Sequence, residues 1–397
     1  MRIMGISRAK NRYAICPVTI RHPERGRPLS HIELRCPRCG KSRVPDMSVE
    51  GCHDCGSPLD VGYLGGGKTL PGTNVPTPIH EPGAMVTLGE GNTPCVRLTA
   101  LGTRLSLDGL HAKLEFLNPT GSFKDRGTAT MLSVAREFGV TELVEDSSGN
   151  AGASVSAYAA RAGIKSHIFV PADAPEAKLR QIRAYGTEIH PIPGTREDVT
   201  EAAVAYHRER GLVYASHMLS PYFAEGTKAF AYEVVRQFDG QTPDHLVFPV
   251  GNGSLFIGAD NGLREMVASG RIDKMPQLHA VQARNVMPLV AAFNDESWGP
   301  NQASKTVAGG ISVAAPSRQW QIVDILAKVG GSAVAVDEPG ILAMQRDLAE
   351  VEGIFAEPTS AAAFAGLEEL KKAGVIRRDD TVVVPVTGFG LKDEAPG

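Results

Sequence analysis

The chain has no apolar run approaching the ~20 residues that cross a bilayer, so it offers no candidate for a spanning helix. Its charge nearly cancels, with 41 Lys and Arg against 44 Asp and Glu and a net charge of -3. Bulk attraction to nucleic acid or to an anionic membrane is therefore missing. Aromatic residues make up only 6%, with two tryptophans. The basic residues near the start (Arg8, Lys10, Arg12, Arg21, Arg25, Arg27, Arg35, Arg38, Lys41, Arg43) have no aromatic stacking platform beside them, which argues against a nucleic-acid binder. Cysteine is scarce too: four of the six fall in two C-x-x-C pairs, leaving Cys16 and Cys95 over. In a chain this long that pattern reads as a metal site before a disulfide framework. Arg2, Arg8 and Lys10 interrupt the apolar stretch that a signal peptide needs, so the expected address is the cytoplasm. Partners are to be sought among small molecules.

What the chain does have is 397 residues, 42% of them hydrophobic, which is enough for two or three domains with large cores. Residues 1–30 read as an irregular basic extension, 31–62 hold the cysteine pairs, and 65–94 are a Gly- and Pro-rich linker. From about residue 110, short apolar runs alternate with amphipathic stretches. Strands are expected at 143–145, 167–171, 188–191, 212–215, 245–250, 278–282, 333–336 and 381–386. Helices are expected at 127–138, 151–162, 176–185, 197–210, 226–238, 255–269, 339–351 and 360–373. This β–α alternation predicts an α/β fold of open, mostly parallel sheets covered by helices, with ligands at the carboxyl ends of strands.

Cys36-Pro-Arg-Cys39 and Cys52-His-Asp-Cys55 stand twelve residues apart. Each pair sets two thiolates on one knuckle, and two knuckles complete a tetrahedral shell for structural zinc, a zinc ribbon. Gly40 and Gly56 follow the second cysteine of each pair, and His53 is surplus.

Residues 118–127 read Asn-Pro-Thr-Gly-Ser-Phe-Lys-Asp-Arg-Gly, a turn that opens a helix at about Ser122. A lysine in a first helical turn stands against the dipole, and dipole and burial both lower an amine's pKa and favour attack on an aldehyde. An isolated Ser-x-Lys-Asp would read as a surface lysine paired with Asp125. Ser147-Ser-Gly-Asn-Ala-Gly152 follows a strand and starts a helix, as an anion site does. Gly251-Asn-Gly-Ser254 follows a buried strand, lacks the spacing of a nucleotide P-loop, and can close its backbone around a phosphate. Thr387 ends a strand before Gly388-Phe-Gly390, and Glu357-Pro-Thr-Ser360 is expected to cap a helix through Thr359 or Ser360.

Together with Leu88-Gly-Glu-Gly-Asn-Thr-Pro94 and the run from Val386 to Asp393, these six strings occur in an order that resembles pyridoxal-phosphate (PLP) enzymes of the tryptophan-synthase-β type of fold, fold type II, most closely the threonine-synthase-like group. The resemblance covers nearly everything from Thr87 onward. It implies a Schiff base between PLP and Lys124, contact of Asn150 with the cofactor's phenolic oxygen, a phosphate cup of Gly251, Asn252, Gly253 and Ser254, and Thr387 at the pyridine nitrogen. It also implies that Ser147, Ser148, Gly149 and Ala151 take the substrate's α-carboxylate. It implies a zinc ribbon at 31–64, a large PLP-binding domain of 65–133 with 222–397, a small domain of 134–221, and a homodimer.

The implied activity is a carbon–oxygen lyase on an amino acid, converting O-phosphohomoserine and water to threonine and phosphate. Three departures stand out. The segment 217–224 before Glu225-Gly-Thr-Lys228 contains no arginine for a substrate phosphate, the 147–152 loop lacks the threonine that many synthases carry, and Phe389 stands where a histidine is common. Lys228, Arg284 and Arg318 are the cations that could take the arginine's place. Dehydration of serine or threonine, or β-replacement on a small amino acid, is the alternative. A zinc-ribbon nucleic-acid binder with a vestigial PLP site is a third reading.

Overall fold

A computed structural model describes residues 29–65 and 68–392. Most of the basic extension, two linker glycines and Asp393 lie outside the described residues. The strands in chain order are β1 (Ile32–Arg35), β2 (Ser42–Arg43), β3 (Asp60–Tyr63), β4 (Cys95–Arg97), β5 (Gly109–Lys113), β6 (Glu142–Glu145), β7 (Lys165–Pro171), β8 (Glu188–Ile192), β9 (Val213–Tyr214), β10 (His245–Pro249), β11 (Gln277–Ala283), β12 (Ala333–Val336) and β13 (Thr381–Pro385). They form three sheets, ordered β2-β1-β3, β12-β11-β10-β13-β5-β4 and β8-β7-β6-β9. The first is antiparallel. The second is parallel except for β4, and the third is parallel throughout.

Parallel strands need helical crossovers, and these cover the sheet faces. Hence Leu246, Val247 and Phe248 of β10 and Val382, Val383 and Val384 of β13, in mid-sheet, are fully buried. The helix Pro358–Lys372 offers an alanine-rich face (Ala361, Ala362, Ala363, Phe364) and packs close to β10, β11 and β12. The four-stranded sheet has its own core, and the cysteine-bearing sheet joins it: Ile32, Leu34 and Leu59 are buried in one cluster with Leu132, Val155 and Ile168. Among the described residues, no helix is long and apolar enough to cross a membrane.

The expected strands fall where the pattern set them, to within two residues at their ends. Three expectations are corrected. The helix Pro358–Lys372 starts directly after Glu357 without a side-chain cap, so Thr359 and Ser360 lie inside its first turn and do not cap it. The helix after the Asn118 turn begins at Lys124, not Ser122. The helix expected at 226–238 is two, Pro221–Thr227 and Ala229–Gln237, meeting at Lys228.

Candidate active site

The turn before Lys124 is tied from within. Asp125 accepts from the Thr120 amide and hydroxyl, both at 2.6 Å, and is fully buried. The simple reading of Lys124 as a surface cation paired with Asp125 therefore fails. Arg126, next along, is buried against Glu115 and Glu233 at 2.6 and 2.7 Å. Lys124 itself has no hydrogen bond or ion pair among the described residues. Its amine lies 4.2 Å from the centre of the Phe123 ring. Burial pushes this amine down to about 8, against a weaker upward pull from Glu357 and Glu145.

The wall beside Lys124 comes from the end of β13. The Phe123 amide donates to the Thr387 carbonyl at 3.0 Å, and Ser122 bridges Gly388. The Thr387 hydroxyl donates to Glu357 Oε1 at 2.9 Å and meets Ser360 Oγ at 2.9 Å. The other oxygen of Glu357 accepts from Asn150 Nδ2 at 2.9 Å, and Lys392 Nζ donates to Asn150 Oδ1 at 3.0 Å. One buried carboxylate thus spans Asn150 and Thr387, the two residues expected at the phenolic oxygen and at the ring nitrogen. A Cβ on Gly388 would collide with the Glu357 carboxylate, so any other residue there would push that side chain away.

Ser147, Ser148, Gly149 and Ala151 lie at the carboxyl end of β6, at the start of the helix Asn150–Ala162, and the first three are part-exposed. A Cβ on Gly152 would strike the Ser147 carbonyl, so only glycine lets the loop fold back onto the helix. Just upstream, Glu145 Oε1 meets His217 Nδ1 at 2.9 Å, and Asp146 pairs with Arg196 at 2.9 Å. Burial pushes Glu145 well above the carboxylate range and His217 well below its own, with Lys124 adding to the second shift. Glu145 Oε2, Asp146 Oδ1 and Ser122 Oγ are buried without partners. Buried polar atoms of this kind call for a ligand, an ion or water as partner.

Gly251, Asn252, Gly253 and Ser254 lie at the carboxyl end of β10, opening the fifteen-residue helix Ser254–Ala268. Gly253 has φ +78°, and a Cβ on Gly251 would press Ile311 Cα at 3.1 Å and the Gly310 carbonyl at 3.2 Å. The backbone is bare where an anion would approach, and the helix supplies free amides. A small pocket beside this cup is lined by His217, Met218, Ser220, Asn252, Ser254 and Arg318. Of the three cations considered for a substrate phosphate, only Arg318 lines it. Lys228 is buried against Glu225 and Glu265, and Arg284 is exposed and donates to the Ala335 carbonyl. Arg318 is itself engaged by Asp60 at 2.6 Å, by the Leu59 carbonyl at 2.8 Å, and by Gln321 and the Met218 carbonyl.

The structure therefore brings the lysine, the threonine and both loops to the carboxyl ends of parallel strands. These residues fit PLP: a lone amine of lowered pKa, a helix-capped glycine cup for its phosphate, and polar atoms awaiting partners. The sequence reading missed His217 and Glu145, and it left Glu357 as mere support. Their only sequence signal was position, each standing next to a motif residue or a strand end.

The four cysteines converge elsewhere. Cys36 and Cys55 sulfurs are 3.5 Å apart, Cys39 and Cys52 3.5 Å, and Cys39 and Cys55 3.9 Å. A tetrahedral ion with Zn–S bonds near 2.3 Å holds sulfurs roughly 3.8 Å apart, so the donor set fits. Gly40 and Gly56 take φ +76° and +70°, closing both knuckles, while His53 is exposed.

A family model described as pyridoxal-phosphate dependent enzyme matches residues 86–388. The chain is 33% identical over 380 residues to a threonine synthase of Methanocaldococcus jannaschii, covering 90% of this chain and 92% of that one. It is 35% identical over 317 residues to a threonine synthase of Mycobacterium tuberculosis, covering 80% and 86%. Among solved structures, it resembles maize serine racemase (TM-score 0.67, 21% identity, 76% of this chain and 88% of that one) and a processed threonine deaminase from Solanum lycopersicum (0.65, 21%, 75% and 79%). The structural likenesses speak to the fold alone.

Proposed function

The chain belongs to the family of pyridoxal-phosphate-dependent enzymes, and from that premise we propose that it is a threonine synthase, converting O-phosphohomoserine and water to threonine and phosphate. The observation that supports the reading is Lys124: a buried amine without a hydrogen-bond partner among the described residues, next to the Phe123 amide that donates to the Thr387 carbonyl, and within electrostatic reach of Glu357 and of Glu145 just ahead of the 147–152 loop.

When bound, the cofactor supplies an electron sink for charge developing beside the substrate's α-carbon. Lys124 would hold its aldehyde, the 251–254 amides and Ser254 its phosphate, Asn150 its phenolic oxygen and Thr387 its ring nitrogen. The amides of the 147–152 loop, at a helix start, bind and orient the α-carboxylate. Lys124, with an amine that readily gives up its proton near neutrality, moves protons at Cα and Cβ. Arg318 lines the pocket beside the cup and, with four of its five N–H donors engaged, leaves one for a charge-assisted bond to a substrate phosphate. Water then adds at Cβ, replacing the departed γ-phosphate in overall balance.

A second reading, dehydration or β-replacement on a small unphosphorylated amino acid, is favoured by one observation: Arg318 is already neutralised by Asp60. Purified protein given O-phosphohomoserine decides between them. Phosphate and threonine in equal amounts support the synthase. No phosphate, with 2-oxobutyrate or pyruvate appearing from threonine or serine, sinks it in favour of the second reading.

The spacing of the sulfurs supports a structural zinc ion on Cys36, Cys39, Cys52 and Cys55. The four-stranded sheet, which lies between residues 142 and 214, supports treating 134–221 as the small domain.

A further inference from the structure

The small sheet carries a second convergence of metal-ligating atoms, remote in sequence from the cysteines. β7 and β8 pair in parallel with His167 opposite Glu188 and Phe169 opposite His190, so the period of two sets all four on one face. His167 Nδ1 lies 3.0 Å from His190 Nε2 and 3.5 Å from Glu188 Oε2, and His190 Nε2 lies 3.5 Å from Glu188 Oε1. Donors sharing one ion at bonds near 2.0–2.1 Å stand roughly 3.0–3.4 Å apart. The three side chains therefore already outline one face of a coordination polyhedron.

The surroundings strengthen the case. His167 Nε2 lies 2.5 Å from Glu142 Oε1. A carboxylate there accepts a hydrogen bond from Nε2–H, which fixes that tautomer and turns the Nδ1 lone pair toward His190 and Glu188. The Phe169 ring stacks on His190 at 4.4 Å, and Tyr206 OH stands 3.4 Å from His167 Nδ1, so both imidazoles are held in place. Lys165 holds Glu142 and Glu188 at 3.1 Å each. On Glu188 it uses Oε2, leaving Oε1 on the His190 side. His167 is wholly buried, while the His190 and Glu188 side chains are 22% and 48% exposed, so water can fill the remaining positions.

We propose that His167, Glu188 and His190 form a binding site for a divalent transition-metal ion, with Glu142 orienting His167 from behind. Two imidazoles and one carboxylate select zinc, nickel, cobalt or copper over magnesium and calcium. β8 is an edge strand, and the bound ion fastens it to β7.

The test uses the full chain with PLP bound and the four-cysteine site saturated with zinc. Calorimetric titration with Ni²⁺ should show one further equivalent per chain, and the Cu²⁺ form should give an electron paramagnetic spectrum with hyperfine structure from two imidazole nitrogens. His190→Ala and Glu188→Gln should each weaken Ni²⁺ binding about tenfold or more, and Glu142→Gln about 10–100-fold, without changing zinc content. Glu188→Gln keeps the volume of an exposed side chain, so it tests the site even if His190→Ala loosens the edge strand. No further equivalent, an affinity indifferent to all three changes, or uptake abolished only by Cys39→Ser would overturn the proposal.

Discussion

Asp60 on β3 and Arg318 ahead of the helix Gln319–Val329 form an ion pair at 2.6 Å that joins the cysteine-bearing sheet to the pocket beside the glycine cup. The same strand sends Tyr63 to Glu225 and Lys228. Breaking a buried pair strands a charge, so Asp60→Asn should cost about 3 kcal/mol of stability, read by urea unfolding. Arg318→Met should raise KM for O-phosphohomoserine about tenfold or more while changing kcat less, because the lost bond is made to bound substrate before reaction as well as during it. An unchanged KM would remove Arg318 from the substrate site.

The sheet joined in this way should depend on the zinc ion proposed for its four cysteines. Strong chelation, or Cys39→Ser, should remove one zinc per chain, expose four reactive thiols and lower the melting temperature. A small three-stranded sheet with so little core of its own leans on such a staple. Metal analysis with thiol titration checks this, and a chain that binds no zinc while melting normally contradicts it.

Lys124 sets a pH dependence whose sign follows from burial. An amine near 8 is roughly one-tenth unprotonated at pH 7, against about one in three thousand for an ordinary lysine. Uptake of PLP by the cofactor-free protein should accelerate as pH rises toward 8 and level off above it, followed by absorbance. Lys124→Ala should abolish both the stable absorbance and turnover.

Glu357 pulls the Lys124 pKa upward. Glu357→Gln should therefore lower it further, moving the uptake profile to lower pH, while the amide keeps its volume between Asn150 and Thr387. A profile that stays in place would mean that this carboxylate does not act on the amine.

Much of the site was legible because its parts are local. Gly149, Gly253 and Gly388 punctuate turns at strand ends and Gly121 the turn ahead of a helix, and their neighbours Asn150, Ser254, Thr387 and Lys124 inherit positions at helix starts or at a strand end. Glu145, His217, Arg318 and Asp60 were not legible as partners. They are ordinary polar residues whose contacts close across 72 and 258 positions of chain, and no short-range pattern encodes such pairings. Likewise, a helical period runs unbroken through Lys228 because its backbone stays near helical values (φ -62°, ψ -23°), while its side chain turns inward to Tyr63, Glu225 and Glu265. β4, three residues long, is too short to show alternation.

Behind the site, Arg126 and Lys113 are buried and share Glu233, at 2.7 Å each. Despite the opposing cost of burial, Arg126 and then Lys113 hold the Glu233 carboxyl down at about 2. A carboxyl depressed in the folded state stabilises it above the unfolded pKa of about 4.5, and that contribution fades as pH falls toward 2. Glu233→Gln leaves two buried cations with Glu115 alone, and should cost about 3–5 kcal/mol at pH 7. Because glutamine does not titrate, the gap between the native protein and the variant should narrow between pH 4.5 and pH 2. Paired urea titrations at pH 7, 4 and 3 measure this. A constant gap would mean that Glu233 acts by packing and not by charge, and Arg126 would then owe its position beside Lys124 to Glu115.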